Sequence, residues 1–228
     1  MAADRAMSCI LCGHEAAASV VSWKRLIFLC PRCDLRFVDP GQWPSPAEEA
    51  ERYRLHQNRP EDAGYVRFLW PVVECLRRHV AGGNVLDYGC GPEPVLVGLL
   101  RRAGYAASGY DPNFIREEAG TGRTPEGPYD AIVSTEVFEH FRDPAAEMNR
   151  LVRWLKPEGT LVVMTGLVND ATRMETWSYA NDATHILFYS AATFRYIAGR
   201  WGFAWIEQQG DRVIALRRQA HAETRRPK

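Results

Sequence analysis

The stretch Asn84-Val85-Leu86-Asp87-Tyr88-Gly89-Cys90-Gly91-Pro92 decides the fold. Apolar residues fill its first half and two glycines punctuate the second, the pattern of a buried strand that turns sharply into a helix. Downstream the rhythm repeats: a helix is expected over 94–102, strands over 106–111, 131–137 and 160–166, and a helix over 144–155. Strands separated by helices must run parallel, with helices covering both faces of their sheet.

Upstream, Tyr65, Phe68, Leu69, Val72, Val73 and Leu76 recur at helical spacing, so 62–80 reads as a helix closed by Gly82-Gly83. At the other end, the β-like runs AWIEQ and RVIALRR are split only by the turn at Gly210-Asp211, and strands joined so tightly are antiparallel. The expected fold is α/β: a Rossmann-like, doubly wound, mostly parallel sheet that ends in an antiparallel hairpin. Residues 112–129 carry no clear strand, so the usual third strand is expected to be short or missing. Residues 166–190 read as a polar loop before a helix over 191–200. The aromatic residues Trp70, Trp154, Trp201 and Trp205 are expected in the core.

The loop at 89–91 can bring backbone close to a ligand, although a plain tight turn would use the same glycines. Its charges discriminate between ligands. Asp87 and Glu93 flank it and would repel a pyrophosphate, and Pro94 stands where a dinucleotide loop has its third glycine. A nucleoside with a sulfonium and an ammonium and no phosphate, S-adenosylmethionine, is favoured by such carboxylates. Asp111, which lies 20 residues beyond Gly91, ends the second strand and can accept hydrogen bonds from ribose hydroxyls; a turn-opening Asp before Pro112 is the plainer alternative.

Near the N-terminus, Cys9-x-x-Cys12 and Cys30-x-x-Cys33 are 17 residues apart. Two such knuckles close a tetrahedral zinc site, and four thiolates leave no open position for substrate, so the zinc is structural. Gly13 and Asp34 follow the pairs, where a left-handed backbone is needed. The apolar run between the pairs suits a hairpin too small to fold without metal. A redox dithiol pair is the alternative, and Cys75 and Cys90, which lack paired partners, are read as buried structural thiols. The expected division is a zinc ribbon over 1–41, a linker or lid over 42–61, the large α/β unit over 62–219 and a tail over 220–228.

Lys and Arg (28) balance Asp and Glu (28), so no global field draws the chain to nucleic acid. With 46% hydrophobic and 25% charged residues, no run long enough to span a bilayer and no signal-peptide pattern at the start, a cytoplasmic protein without a membrane partner is expected.

Three motifs, LDYGCGP (86–92), GYDPN (109–113) and YDAIVSTEVFEH (129–140), resemble those of the class I S-adenosylmethionine-dependent methyltransferase family over residues 62–216. The segment Thr184-His185-Ile186-Leu187-Phe188-Tyr189-Ser190 resembles the branch of small-molecule enzymes that includes those of the ubiquinone pathway. The resemblance implies cofactor binding by Asp87, Tyr88, Gly89, Cys90, Gly91, Asp111, Pro112, Asn113 and Glu136. It implies acceptor-side roles for His140 and His185, with Tyr189 assisting, and a lid built from Tyr53, His56, Asn58 and Tyr65. Each histidine has a structural hydrogen-bonding role as its alternative, and Glu139 is expected near the cofactor's ammonium or a histidine. The departure from the family pattern is Glu93, which stands at a usual glycine and threatens to crowd the cofactor. A small-molecule acceptor is expected; an RNA or protein acceptor gripped by the ribbon, or a non-catalytic scaffold, stays open.

Overall fold

The computed structural model describes residues 5–54, 59–114 and 125–220. In chain order the strands are β1 (Ala6–Ser8), β2 (Glu15–Ser22), β3 (Arg25–Leu29), β4 (Arg36–Val38), β5 (Asn84–Tyr88), β6 (Ala106–Tyr110), β7 (Tyr129–Thr135), β8 (Leu155–Met164), β9 (Leu167–Val168), β10 (Leu187–Ser190), β11 (Phe203–Gln209) and β12 (Val213–Arg218). The helices are α1 (Pro46–Arg54), α2 (Ala63–His79), α3 (Val95–Arg102), α4 (Pro144–Trp154) and α5 (Ala191–Trp201).

The large sheet has the order β11-β12-β8-β7-β5-β6. Strands β6, β5, β7 and β8 are parallel, β12 runs antiparallel to β8, and β11 pairs antiparallel with β12 and so returns to the direction of the other four. Side chains alternate between its two faces. Val85, Ala131, Val133, Val162 and Ala215 pack with α2 and α3, whereas Leu86, Ile132, Leu161, Val163 and Leu216 pack with α4 and α5. Both faces are thus buried, which explains why these strands read as continuous apolar runs rather than alternating ones. Fully burying one such side chain contributes about 1.5–3 kcal/mol. Asp62 caps α2 by accepting from the backbone N–H of Gly64 (2.7 Å) and Tyr65 (3.1 Å). Among the described residues β6 is the edge of this sheet, and residues 115–124, where a third strand would lie, are outside them.

The second sheet corrects one expectation. Its order is β1-β2-β3-β4-β10-β9, so the stretch expected to be a polar loop after Gly166 supplies two of its strands. Leu187 pairs with Phe37 and Phe188 with Arg36. The N-terminal segment thus pairs through β4 with β10, and its Leu11, Phe28, Leu35 and Phe37 share a core with Leu86, Phe138, Tyr189 and Phe194. Arg200 donates to the carbonyl of Leu11 (2.6 Å) and Ser190 Oγ to Asp34 Oδ2 (2.5 Å), which adds polar ties across the same boundary.

Of the tryptophans expected in the core, Trp201 is buried and Trp154 and Trp205 are half-buried. Trp70 is a correction: it is 39% exposed, with its Nε1 donating to Glu74 one helical turn on (2.9 Å). His56, Asn58 and the Tyr53 side chain lie outside the described residues. Among the described residues no helix is long and apolar enough to cross a membrane.

Candidate functional site

Strand β5 has β6 on one side and β7 on the other, so the connections leaving it diverge and open a crevice at the carboxyl ends of the three strands. A cavity of about 670 Å³ occupies that place, in the range of small-molecule sites. One end is the loop after β5. Gly89 has φ of 81°, and a Cβ there would collide with Val137, so only glycine suits this turn. The loop is tied to β6: Gly89 N donates to the Tyr110 carbonyl (2.7 Å) and Gly91 N to Asp111 Oδ2 (3.0 Å). Asp111 Oδ1 accepts from Asn113 N (2.8 Å), and each carboxylate oxygen keeps a second lone pair for a ligand.

Tyr88, Gly89, Cys90, Gly91, Asp111, Pro112, Asn113 and Glu136 all line the cavity, so eight of the nine expected cofactor residues meet there. Asp87 is the correction. It is 3% exposed, absent from the cavity wall, and lies behind the loop, where burial and then the charge of Asp111 push its carboxyl up to about 8. Glu93, which threatened to crowd the site, is exposed and does not line it. Tyr65, expected in a lid, lines the cavity together with Phe68 and Phe114, two aromatic residues that the sequence did not single out for the site.

The other end holds His140, on the turn after β7, and His185, in the segment before β10, with ring centroids 4.9 Å apart. His140 Nδ1 lies 2.8 Å from the Thr184 carbonyl and His185 Nδ1 2.8 Å from the Tyr179 carbonyl. A carbonyl only accepts, so each Nδ1 carries its proton and each neutral ring keeps an Nε2 lone pair. Both Nε2 atoms lie 4.0 Å from Glu139 Oε1. Glu139 is fully buried behind them, accepting from Tyr179 OH (2.6 Å) and Thr165 Oγ1 (2.9 Å).

Burial holds His140 below its ordinary value, and burial together with the neighbouring His140 charge lowers His185 to about 4. Burial and then the Glu139 charge raise Glu136 to about 8, although Arg212 stands 3.3 Å away, while burial raises Glu139 to about 7. Glu139, His140 and His185 have ligand atoms within 4.8 Å of one another, so this end could hold a metal ion. Tyr189, expected to assist here, does not. Strand β10 is covered on both faces, and the Tyr189 ring is buried against Phe138 and Phe194 with its OH donating to the Phe138 carbonyl (3.1 Å). Tyr179, which no motif announces, is the tyrosine whose OH donates to Glu139 there (2.6 Å), and it does not line the cavity.

The four cysteines meet as spaced. Sγ atoms of Cys9 and Cys33 are 3.6 Å apart and those of Cys12 and Cys30 3.4 Å, with all four within 4.8 Å. A tetrahedron of thiolates around zinc has edges of about 3.8 Å, so the set fits such an ion. Each pair sits in a turn closed by backbone, Gly13 N to the Cys9 carbonyl (2.8 Å) and Asp34 N to the Cys30 carbonyl (2.9 Å). Gly13 (φ 73°) and Asp34 (φ 58°) take the left-handed conformations foreseen for them.

The sequence profile of a methyltransferase domain family matches residues 55–208, which contain the crevice and both its ends. The chain belongs to that family. A biotin biosynthesis bifunctional protein of Bordetella avium is 28% identical over 130 residues, 50% of this methyltransferase but only 27% of that relative's length. Among solved structures, an O-methyltransferase family protein from Burkholderia thailandensis superposes with a TM-score of 0.56 at 15% identity, covering 77% of this chain and 64% of that one. Magnesium protoporphyrin IX methyltransferase from Synechocystis PCC 6803, solved with bound SAH, gives 0.52 at 16% identity, covering 77% and 95%. Both share the fold of this methyltransferase.

Proposed function

We propose that this chain is an S-adenosylmethionine-dependent methyltransferase that acts on a small-molecule nucleophile, with the cofactor at the Gly89–Gly91 loop and the acceptor at the histidine end. The observation that carries the reading is that one cavity joins the two ends. Its charge fits a phosphate-free cation. Glu49, Asp111, Glu136, Asp143, Glu147 and Asp182 line it against Arg142 alone, and Arg142 is already paired with Glu49 (2.9 Å).

The cofactor supplies a methyl group that leaves a sulfonium by direct displacement. The protein's work is then to hold the acceptor in line and keep water out. Asp111 accepts from the ribose hydroxyls, with Pro112, Asn113, Tyr88 and Cys90 shaping the nucleoside end. Glu136 faces the cofactor's ammonium. His140 and His185, held neutral by burial and with Nδ1 carrying the proton, take the acceptor's proton at Nε2, and Glu139 stabilises the imidazolium formed. A second reading of this end, favoured by the convergence of Glu139, His140 and His185, is a divalent metal that polarises the acceptor oxygen. Zinc at Cys9, Cys12, Cys30 and Cys33 is structural, and reduced paired thiols suit a cytoplasmic protein. The branch suggested by 184–190 and the division at residues 41 and 61 belong to the same proposal, with the N-terminal segment serving as a wall of the catalytic unit.

Calorimetry with S-adenosylmethionine, followed by incubation of the methyl-labelled cofactor with cell extract, tests the reading. Binding with label entering metabolites supports it; label in RNA or protein, or no binding by folded, zinc-loaded chain, overturns it. Metal content after dialysis against a chelator decides between the two roles for the histidine end.

A further inference from the structure

The cavity wall at the acceptor end is an 18-residue connection between β9 and β10, residues 169–186, whose only regular element is a short 3-10 turn at Ser178–Asn181. Such a connection leaves many backbone carbonyls without sheet or helix partners, and buried ones must be satisfied in another way. Six of them are satisfied by one feature, the tip of the β2–β3 hairpin. There Trp23 (φ 50°) and Lys24 (φ 66°) form a two-residue turn of the kind that fits strand twist. Ser22 Oγ donates to the Met174 carbonyl, and Trp23 Nε1 donates to the Trp177 carbonyl (3.1 Å). Arg25 does most: Nη1 donates to the carbonyls of Ala183 (3.1 Å) and His185 (3.1 Å), and Nη2 to those of Asp182 (2.9 Å) and Ala180.

The residues so held form the acceptor end. His185 and Asp182 line the cavity, the Thr184 carbonyl orients His140, and the Tyr179 carbonyl orients His185. We infer that Arg25 is a positioning residue for methyl transfer: its guanidinium gathers the 180–185 backbone and so sets where His185 and His140 present their Nε2 atoms. A planar fork of five N–H donors can span four carbonyls, which a single ammonium cannot. Through Arg25 the N-terminal sheet reaches the acceptor end without lining it. The inference rests on the reading of the histidine end as the acceptor end.

The test compares the zinc-loaded full chain with its Arg25→Gln and Arg25→Lys variants. In Arg25→Gln, amide exchange over 178–186 is expected to accelerate by about ten-fold or more while amides of β5 and β7, and the affinity for S-adenosylmethionine, stay within about two-fold. The ring nitrogen resonances of His185 should move, and Arg25→Lys should restore part of the protection. Loosening spread evenly over the chain, or His185 resonances that do not move, overturns the inference. A His185→Gln chain separates the two readings. If it still transfers label to extract metabolites while Arg25→Gln behaves as expected, the acceptor-end reading fails and the clamp stands; if it loses transfer while Arg25→Gln leaves the His185 resonances in place, the clamp fails and the acceptor-end reading stands.

Discussion

The two sheets of this protein are held by different physics. The large sheet is sandwiched between helices and built from side chains such as Val85, Ile132, Val162 and Ile214, each fully buried. The smaller one is assembled from segments about 150 residues apart in the chain, as when Ser22 meets Met174 (|i−j| of 152) or Ser190 meets Asp34 (|i−j| of 156). Its Phe28, Leu35 and Phe37 share the apolar core, and to that it adds a thiol cluster and side chains that reach across to backbone. A sheet stabilised by apolar area tolerates local damage in proportion to the area lost. The part of the small sheet's stability that a metal at the proposed thiol site supplies should be lost at once when the metal leaves.

The largest effect that could break this contrast is removal of a cysteine. Cys30→Ser should abolish binding of one zinc equivalent and melt β1–β4, because structural zinc supplies binding free energy on the order of 10 kcal/mol. Elemental analysis with amide exchange measures both, and an intact small sheet without metal would end the comparison. Next in size, Ile132→Ala in the large sheet should lower stability to urea by about 2–5 kcal/mol while leaving the zinc content unchanged.

The smallest effect sharpens the contrast at the polar end of the large sheet. Glu136 is raised to about 8, so it is largely protonated at pH 7 before a cation arrives. A bound sulfonium and ammonium favour the ionised carboxylate, which lowers that value, so cofactor binding near pH 7 should release a proton rather than take one up. Calorimetry in two buffers of different ionisation enthalpy reads the sign, and proton uptake or no exchange would remove Glu136 from the cofactor's surroundings.

Local signals carried far in this chain. The parallel order, the closing hairpin, the glycine loop with Asp111, and the four-cysteine set all arise from neighbours within a strand, a turn or a knuckle, where residue type restricts backbone directly. Where sequence reading went astray, the partner was remote or the environment two-sided. Tyr189 was assigned to the site because it follows His185, yet β10 is buried on both faces and alternation could not say which way the ring points. Asp87 was assigned by adjacency to the loop, although a strand residue behind a turn faces the opposite way from the backbone that meets the ligand.

The chain's pattern alone therefore determined the strands and helices of the large sheet, the glycine turn at the end of β5, and which thiols gather. Tertiary structure alone decided that the N-terminal segment joins β9 and β10 in one sheet, that Glu139 and Tyr179 stand behind the two histidines, and that Arg25 holds the loop carrying them. The physical reason is range. Propensity, capping and turn chemistry act between residues a few positions apart, whereas a guanidinium bound to carbonyls 155 to 160 residues away leaves no trace in the local pattern of either partner.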